Sequence, residues 1–456
     1  MKNATEKLCE RIVGIGFDDL TDDALARARQ LFLDGLAVAV AGTIKEDPPA
    51  ILAAHAKEMG GNEIATVIGF DFKTGPVQAA YVNGSSMHVL DFEPMWSPAN
   101  HQVSTSLPAV LALAEHKGGN GKDIAAALVK GIEMMGWLRE ASQQFVAKAM
   151  RFHPPGLVGP LGAAVAAGHM LGLKPQQLRH ALGIASSRTG SLLGNAGTHT
   201  KSTHCGLACA LGLDAAMLAA RGFDANAEIL EHDRGYVEMY FGRDVFRFDM
   251  LEKYGPPFRV VTPGYAIKMF PSQFGTHFGI TAALELHAKI PDPSKIKAVR
   301  ITGPMMPYID RAKPETGLAG KFSYQYTVSC ALLDGKIVMD TFEDEHRFSA
   351  PVEALLDKVT LNMRDDIPGR FEEMYVELEV DLENGETLKT RCNGPRGKWG
   401  TPPISVDEHL VKVRDCFDTR LSERDRERVI ELGGNLDQLA AKDITEIMGI
   451  VACAAK

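Results

Sequence analysis

In the first half of the chain, segments of helical period follow one another with alanine and glycine where large side chains would be usual. Nothing else in the sequence restricts the fold as much. Residues 159–171 and 207–220 are the plainest cases. Side chains this small let helix axes approach closely, so the segments pack on one another and form a helical core rather than flanking a parallel sheet. Thr21 is an expected N-cap, with Asp22 and Asp23 in the first turn, and Leu25, Ala28, Leu31, Phe32, Gly35, Leu36 and Ala39 follow at helical spacing up to Gly42. Pro108 opens a further helix that continues through Glu115. The fold class expected is mainly α.

Near Pro263 the pattern changes. A helix is predicted over 275–289, residues 298–302 are extended, and 375–382 alternate with Val376, Leu378, Val380 and Leu382 on one face. Asn384-Gly385 then supplies a hairpin turn into residues 387–391. After the Pro/Gly-rich stretch 394–403 helices resume, with capping boxes expected at Ser405/Glu408 and Ser422/Asp425. The expected organisation is a helical domain drawn from residues 1–262 and 400–456, with an α+β domain, 263–399, inserted between them.

A chain of 456 residues buries a large core. Its 49 basic against 58 acidic side chains, a net charge of −9, argue against nucleic acid as a partner. The first ten residues mix charges of both signs without an apolar stretch, and no run reads as a membrane span, so a cytoplasmic protein with no membrane partner is expected. The seven cysteines are scattered and accompanied by neither CxxC nor HExxH. No disulfide framework or metal site is therefore expected, and Cys205 and Cys209 read as packed thiols.

Chemistry-bearing residues gather at Pro- and Gly-marked helix starts. Residues 194–204, Gly-Asn-Ala-Gly-Thr-His-Thr-Lys-Ser-Thr-His, form a predicted loop that brings Lys201 to a helix expected from about Gly206 to Arg221. Free N-terminal amides, the helix dipole and an ammonium group converge there, and together they favour an anion. The spacing is not that of a phosphate loop, which disfavours nucleotide. Residues 83–101 place Asp91, Glu93, His88 and His101 in a Pro-broken segment, and carboxylates beside imidazoles suit proton transfer. His88 also fits a packed helix histidine. His153 stands in the stiff turn Phe152-His153-Pro154-Pro155-Gly156, Lys268 and His277 flank another helix start, and Tyr326 opens an apolar helix. Each taken singly suits a structural role; their number argues for a site.

The ordered patterns NGxxxHxLDF, a His after Pro-Ala, FHPPGxxGPxGAA, GTHTKSxHxGxA, KxFPSxxxTH and KFSxQYxVxxALLDG run along nearly the whole chain. In these the sequence resembles the MmgE/PrpD family, which includes 2-methylcitrate dehydratase, cis-aconitate decarboxylase and iminodisuccinate epimerase. The resemblance implies a helical domain built from both chain ends with an inserted α+β lid, a homodimer, and no metal or organic cofactor. It implies a cleft between the domains holding Asp91, His101, His153, Lys201, His277 and Tyr326, with Lys268 close by. Where the family often reads LDFDDT, this chain has Leu90-Asp91-Phe92-Glu93-Pro94-Met95, so that the thioether of Met95 replaces a hydroxyl at the substrate. After His101, Gln102-Val103 stands where Pro-Ser is usual. The spacing from Asp91 to His101 is more like the decarboxylase branch than the enterobacterial dehydratase.

The expected function is a cofactor-independent lyase or isomerase on a small di- or tricarboxylate. A base removes a proton beside a carboxylate, and Lys201 and His101 stabilise the charge that develops. Elimination of water is the leading expectation, with decarboxylation and epimerisation as alternatives. His153 is the candidate base, Tyr326 the candidate acid, and Asp91 orients a histidine; His277, Lys268 and Met95 are expected to contact substrate.

Overall fold

The computed structural model describes residues 3–145 and 150–452. Thr21 caps the helix Asp22–Lys45, its hydroxyl accepting the Ala24 N–H at 3.1 Å. This helix runs past Gly42 and ends before the Pro48-Pro49 pair. Helices Pro76–Val89, Leu107–Lys117, Gly121–Ala141, Pro154–Met170 and Pro175–Ser186 follow, and His199–Ala220 packs chiefly against Pro76–Val89, Pro154–Met170 and Pro175–Ser186.

Small residues make these contacts possible. A Cβ on Gly206 would stand 2.2 Å from the Tyr81 carbonyl oxygen, and one on Gly212 2.3 Å from that of Pro160, so either alanine would force two helices apart. By length and composition His199–Ala220 is also apolar enough to cross a membrane, contrary to the sequence reading, although most of its apolar window is buried against neighbouring helices.

Residues 296–392 carry a four-stranded sheet. Ile296–Pro304 pairs parallel with Val359–Arg364 on one side and antiparallel with Val376–Leu382 on the other, and Thr387–Cys392 closes the far edge. The predicted hairpin is present: Gly385 sits at φ 88°, and Val376, Leu378, Val380 and Leu382 are buried while the residues between them are half-exposed. Helices Thr276–His287 and Tyr324–Asp334 pack on the sheet. Their buried side chains form a hydrophobic cluster that also takes in Met95 and Trp399. A separate cluster joins the helix Asp22–Lys45 to the C-terminal helices Val406–Asp418, Glu423–Gly434 and Ala441–Ala452. The Ser405/Glu408 box closes in both directions, at 3.2 and 2.9 Å. At Ser422 only the forward bond forms, because the Asp425 carboxylate accepts the Ser422 hydroxyl instead of its N–H. The chain is mainly α, as its periodicity predicts.

A two-residue antiparallel pair, Met95–Trp96 with Tyr265–Ala266, bonds the segment after Pro76–Val89 to the start of the insert. This pairing brings the residues around Asp91 beside Lys268.

Candidate active site

The helix Pro76–Val89 ends just before Pro94 makes helix impossible, and Asp91 takes a left-handed backbone conformation, φ 50°. Its buried carboxylate is thereby set between two ammonium groups. Lys201 Nζ lies 3.0 Å from Oδ2, and Lys268 Nζ bonds Oδ1, the Asp91 carbonyl at 2.8 Å and the Ser272 carbonyl at 3.0 Å. Burial alone would raise the Asp91 carboxyl, but Lys201 and Lys268 hold it well below the usual carboxylate range. Burial in turn lowers Lys268.

Lys201 is not in a loop. The helix begins at His199, with Thr198 as N-cap directly after Gly197 at φ 87°, which puts Lys201 in the first turn. The run His199-Thr200-Lys201-Ser202-Thr203 has no apolar period, so its helical state was hidden in the sequence. His153 is the N-cap residue of Pro154–Met170, and its N–H donates to the Ser191 carbonyl at 2.8 Å. His153 and His204 approach at 3.2 Å through their Nδ1 atoms. His101 Nε2 is 3.9 Å from Asp91 Oδ1, and its Nδ1, 3.5 Å from Glu93 Oε1, makes no hydrogen bond. Burial, reinforced by Lys201, lowers His88 and His153 well below the ordinary imidazole value, and burial does the same to His101. All three rings are neutral at pH 7.

Asp91, Met95, His101, His153, Lys201 and Lys268 line one cleft of about 770 Å³, its open mouth included. The rest of the lining is largely apolar, with Met306, Phe274, Phe322 and Phe371 prominent. Two expected residues are not brought there. The Tyr326 phenol donates to the Thr341 carbonyl and stands 3.2 Å from His346 Nδ1, inside the insert, because the first turn of Tyr324–Asp334 turns that ring towards residues 341–346. His277 is fully buried between Phe270 and Phe274, with Nε2 3.3 Å from the Ser272 carbonyl. It lies behind the loop that carries Lys268. The phenol in the cleft is Tyr308, whose hydroxyl accepts from Gln273 Nε2 at 2.9 Å. No motif in the sequence marked it.

Behind the cleft lies a second layer. Lys201 Nζ is 2.9 Å from His88 Nε2, and His88 Nδ1 is 2.8 Å from Glu93 Oε1. Glu93 also accepts the Ser104 hydroxyl at 2.6 Å and the Ser104 N–H at 2.9 Å. Burial pushes the Glu93 carboxyl up to about 8, against these two bonds. His88 is thus more than a packed helix histidine.

Donor atoms of His88, His101 and His153 fall within 4.8 Å of one another, the spacing of a metal site. The arrangement does not fit an ion: both nitrogens of His88 are engaged, and the Lys201 ammonium stands where a dication would add like charge. The set instead suits stabilising an anion and moving a proton beside it.

The sequence matches the MmgE/PrpD N-terminal domain over residues 6–249 and the MmgE/PrpD C-terminal domain over residues 270–438. Among curated proteins it is 32% identical to cis-aconitate decarboxylase of Homo sapiens, over 96% of this chain and 93% of that protein. It is also 32% identical to the Mus musculus protein of the same name, over 91% of this chain and 86% of that one. It is 26% identical to the mitochondrial 2-methylcitrate dehydratase of Yarrowia lipolytica, over 91% and 85%. By these matches the chain belongs to the MmgE/PrpD family and is a lyase.

Proposed function

We propose that the chain is a cofactor-independent carboxy-lyase acting on a small unsaturated tricarboxylate of the cis-aconitate kind. The observation that carries this reading is the make-up of the cleft, two ammonium groups and two neutral imidazoles in a lining otherwise rich in Met and Phe. In such a substrate one carboxylate sits on a saturated carbon next to a C=C bond that is conjugated to another carboxylate. When the C–CO₂ bond breaks, its electron pair spreads through the allyl system onto the conjugated carboxylate. Lys201 offsets that charge, and carbon dioxide leaves uncharged from an apolar wall that favours a neutral product over an anion. A proton then adds to the carbon beside the conjugated carboxylate. Water supplies this proton, and His153 is assigned to relay it, since its Nδ1 is tied to His204 and Nε2 remains for the substrate. The two 32% identical relatives carry the decarboxylase name, which supports the same choice over elimination of water.

Elimination of water is the second reading. It needs an acid at the leaving hydroxyl; Tyr326 is turned away from the cleft, and Tyr308 is the phenol that lines it. The experiment is a turnover assay of the purified protein on cis-aconitate, 2-methylcitrate and iminodisuccinate, with carbon dioxide and substrate followed together. One carbon dioxide per cis-aconitate consumed is expected. Loss of 2-methylcitrate without carbon dioxide, and no reaction of cis-aconitate, would overturn the carboxy-lyase in favour of a hydro-lyase.

A further inference from the structure

Glu93 and His88 do not line the cleft, yet both are fully buried directly behind Lys201. Their hydrogen bonds have one consistent polarity. An ammonium group only donates, so at 2.9 Å from Lys201 Nζ the His88 Nε2 must accept. A neutral imidazole that accepts at Nε2 carries its proton on Nδ1, and Nδ1 faces Glu93 Oε1 at 2.8 Å. Glu93 must therefore accept there as well. Its other partners agree, because the Ser104 N–H can only donate, to Oε2, and the Ser104 hydroxyl reaches Oε1.

The opposite polarity is self-defeating. Were Glu93 Oε1 to donate to His88 Nδ1, His88 would present an N–H to the Lys201 ammonium. With Lys201 charged, the Nδ1–H tautomer of His88 is the one that leaves no donor facing a donor.

We propose that Glu93 is a positioning residue for the lyase reaction: it fixes His88 in the Nδ1–H tautomer, and His88 thereby holds the Lys201 ammonium at the cleft. Its action on catalysis rests on the proposed role of Lys201 in offsetting the developing charge. No proton is gained or lost by the set, so its contribution is to orientation rather than to proton supply.

Glu93→Gln tests this with a defined chemical outcome. The Ser104 N–H requires an oxygen at the Oε2 position, so the new NH₂ group takes the place of Oε1 and donates to His88 Nδ1. His88 is driven to the Nε2–H tautomer, and Lys201 loses its acceptor. Nitrogen-15 NMR of histidine-labelled protein, without substrate, should show His88 protonated on Nδ1 in the wild type and on Nε2 in the variant. On whichever carboxylate the wild type turns over, kcat should fall about 100-fold with KM changed less than about 3-fold. His88→Gln is the companion variant: its amide oxygen accepts from Lys201 while its NH₂ donates to Glu93, so it should keep kcat within about 10-fold of wild type, whereas His88→Leu should lose it.

A wild-type His88 protonated on Nε2 overturns the proposal, as does a Glu93→Gln protein with wild-type kcat. Equal loss in His88→Gln and His88→Leu also overturns it, and this pair stands in for Glu93→Gln if that variant does not fold. Failure to turn over any small carboxylate would refute the proposed function instead, and the tautomer would still be read directly.

Discussion

Lys201 Nζ stands 3.0 Å from Asp91 Oδ2, and on the other oxygen of the same carboxylate sits Lys268, which comes from beyond the helical half of the chain. One carboxylate thus carries two cations from distant parts of the sequence. It balances one of them and leaves the group with a net positive charge towards the cleft.

Asp91→Asn separates charge from backbone shape. Asparagine tolerates the left-handed conformation at φ 50°, so the chain path should persist. The fully buried Lys268 loses its counter-charge, and uncompensated burial of this kind costs about 3 to 5 kcal/mol. Urea unfolding should show a loss of that order, with activity nearly abolished. A variant as stable as wild type would mean that Asp91 does not hold Lys268 charged.

The two phenols should behave oppositely. Tyr308→Phe removes a hydroxyl from the cleft and should lower kcat/KM by about 10-fold with little change in stability. Tyr326→Phe removes a bond to the Thr341 carbonyl inside the insert and should cost about 1 kcal/mol of stability with kcat/KM near wild type. The paired steady-state and thermal-unfolding measurements decide it; a large catalytic loss in Tyr326→Phe alone would return the acid role to that residue.

Acid should destabilise the fold through its buried histidines. Burial lowers His169 and His204 to about 4, and His277 to about 3, whereas in the unfolded chain they titrate near 6.5. Groups with a depressed folded value bind more protons when unfolded, so their stabilisation is complete above pH 6.5 and is lost as pH falls towards 4. The urea midpoint should drop steadily across that interval. A midpoint that is flat or rising between pH 6.5 and 4.5 would contradict the neutral, buried state of these rings.

Much of this was legible in the sequence because local chemistry decided it. Thr21, Ser405 and the Asn384-Gly385 turn act within a few residues, and the alternation from Val376 to Leu382 needs only the period of a strand. The close packing at Gly206 and Gly212 followed from composition alone. Of the site, Asp91, Met95, His101, His153, Lys201 and Lys268 meet in the cleft as the motifs implied. What stayed hidden depends on direction in space. Tyr326 and His277 lie on the expected helices but point away from the cleft, and the direction of a side chain around its helix decides that. His88 looked like a core histidine because it is one; only the approach of Lys201 from more than a hundred residues away gives it a partner. Tyr308 sits inside the short Pro-led turn Pro307–Ile309, with no periodicity to flag it.

The central claim is that Lys201 offsets the charge that develops as the substrate loses carbon dioxide, and one measurement addresses it most directly: carbon dioxide release from cis-aconitate by wild type and Lys201→Ala, at matched near-ultraviolet circular dichroism. Lys268 remains on Asp91 when Lys201 is removed, so the fold should survive. The wild type should release stoichiometric carbon dioxide and the variant should do so at a rate at least about 100-fold lower. Lys201→Arg should restore little, because a planar guanidinium cannot replace a compact ammonium between Asp91, His88 and the substrate. A folded Lys201→Ala protein releasing carbon dioxide at the wild-type rate would contradict the account.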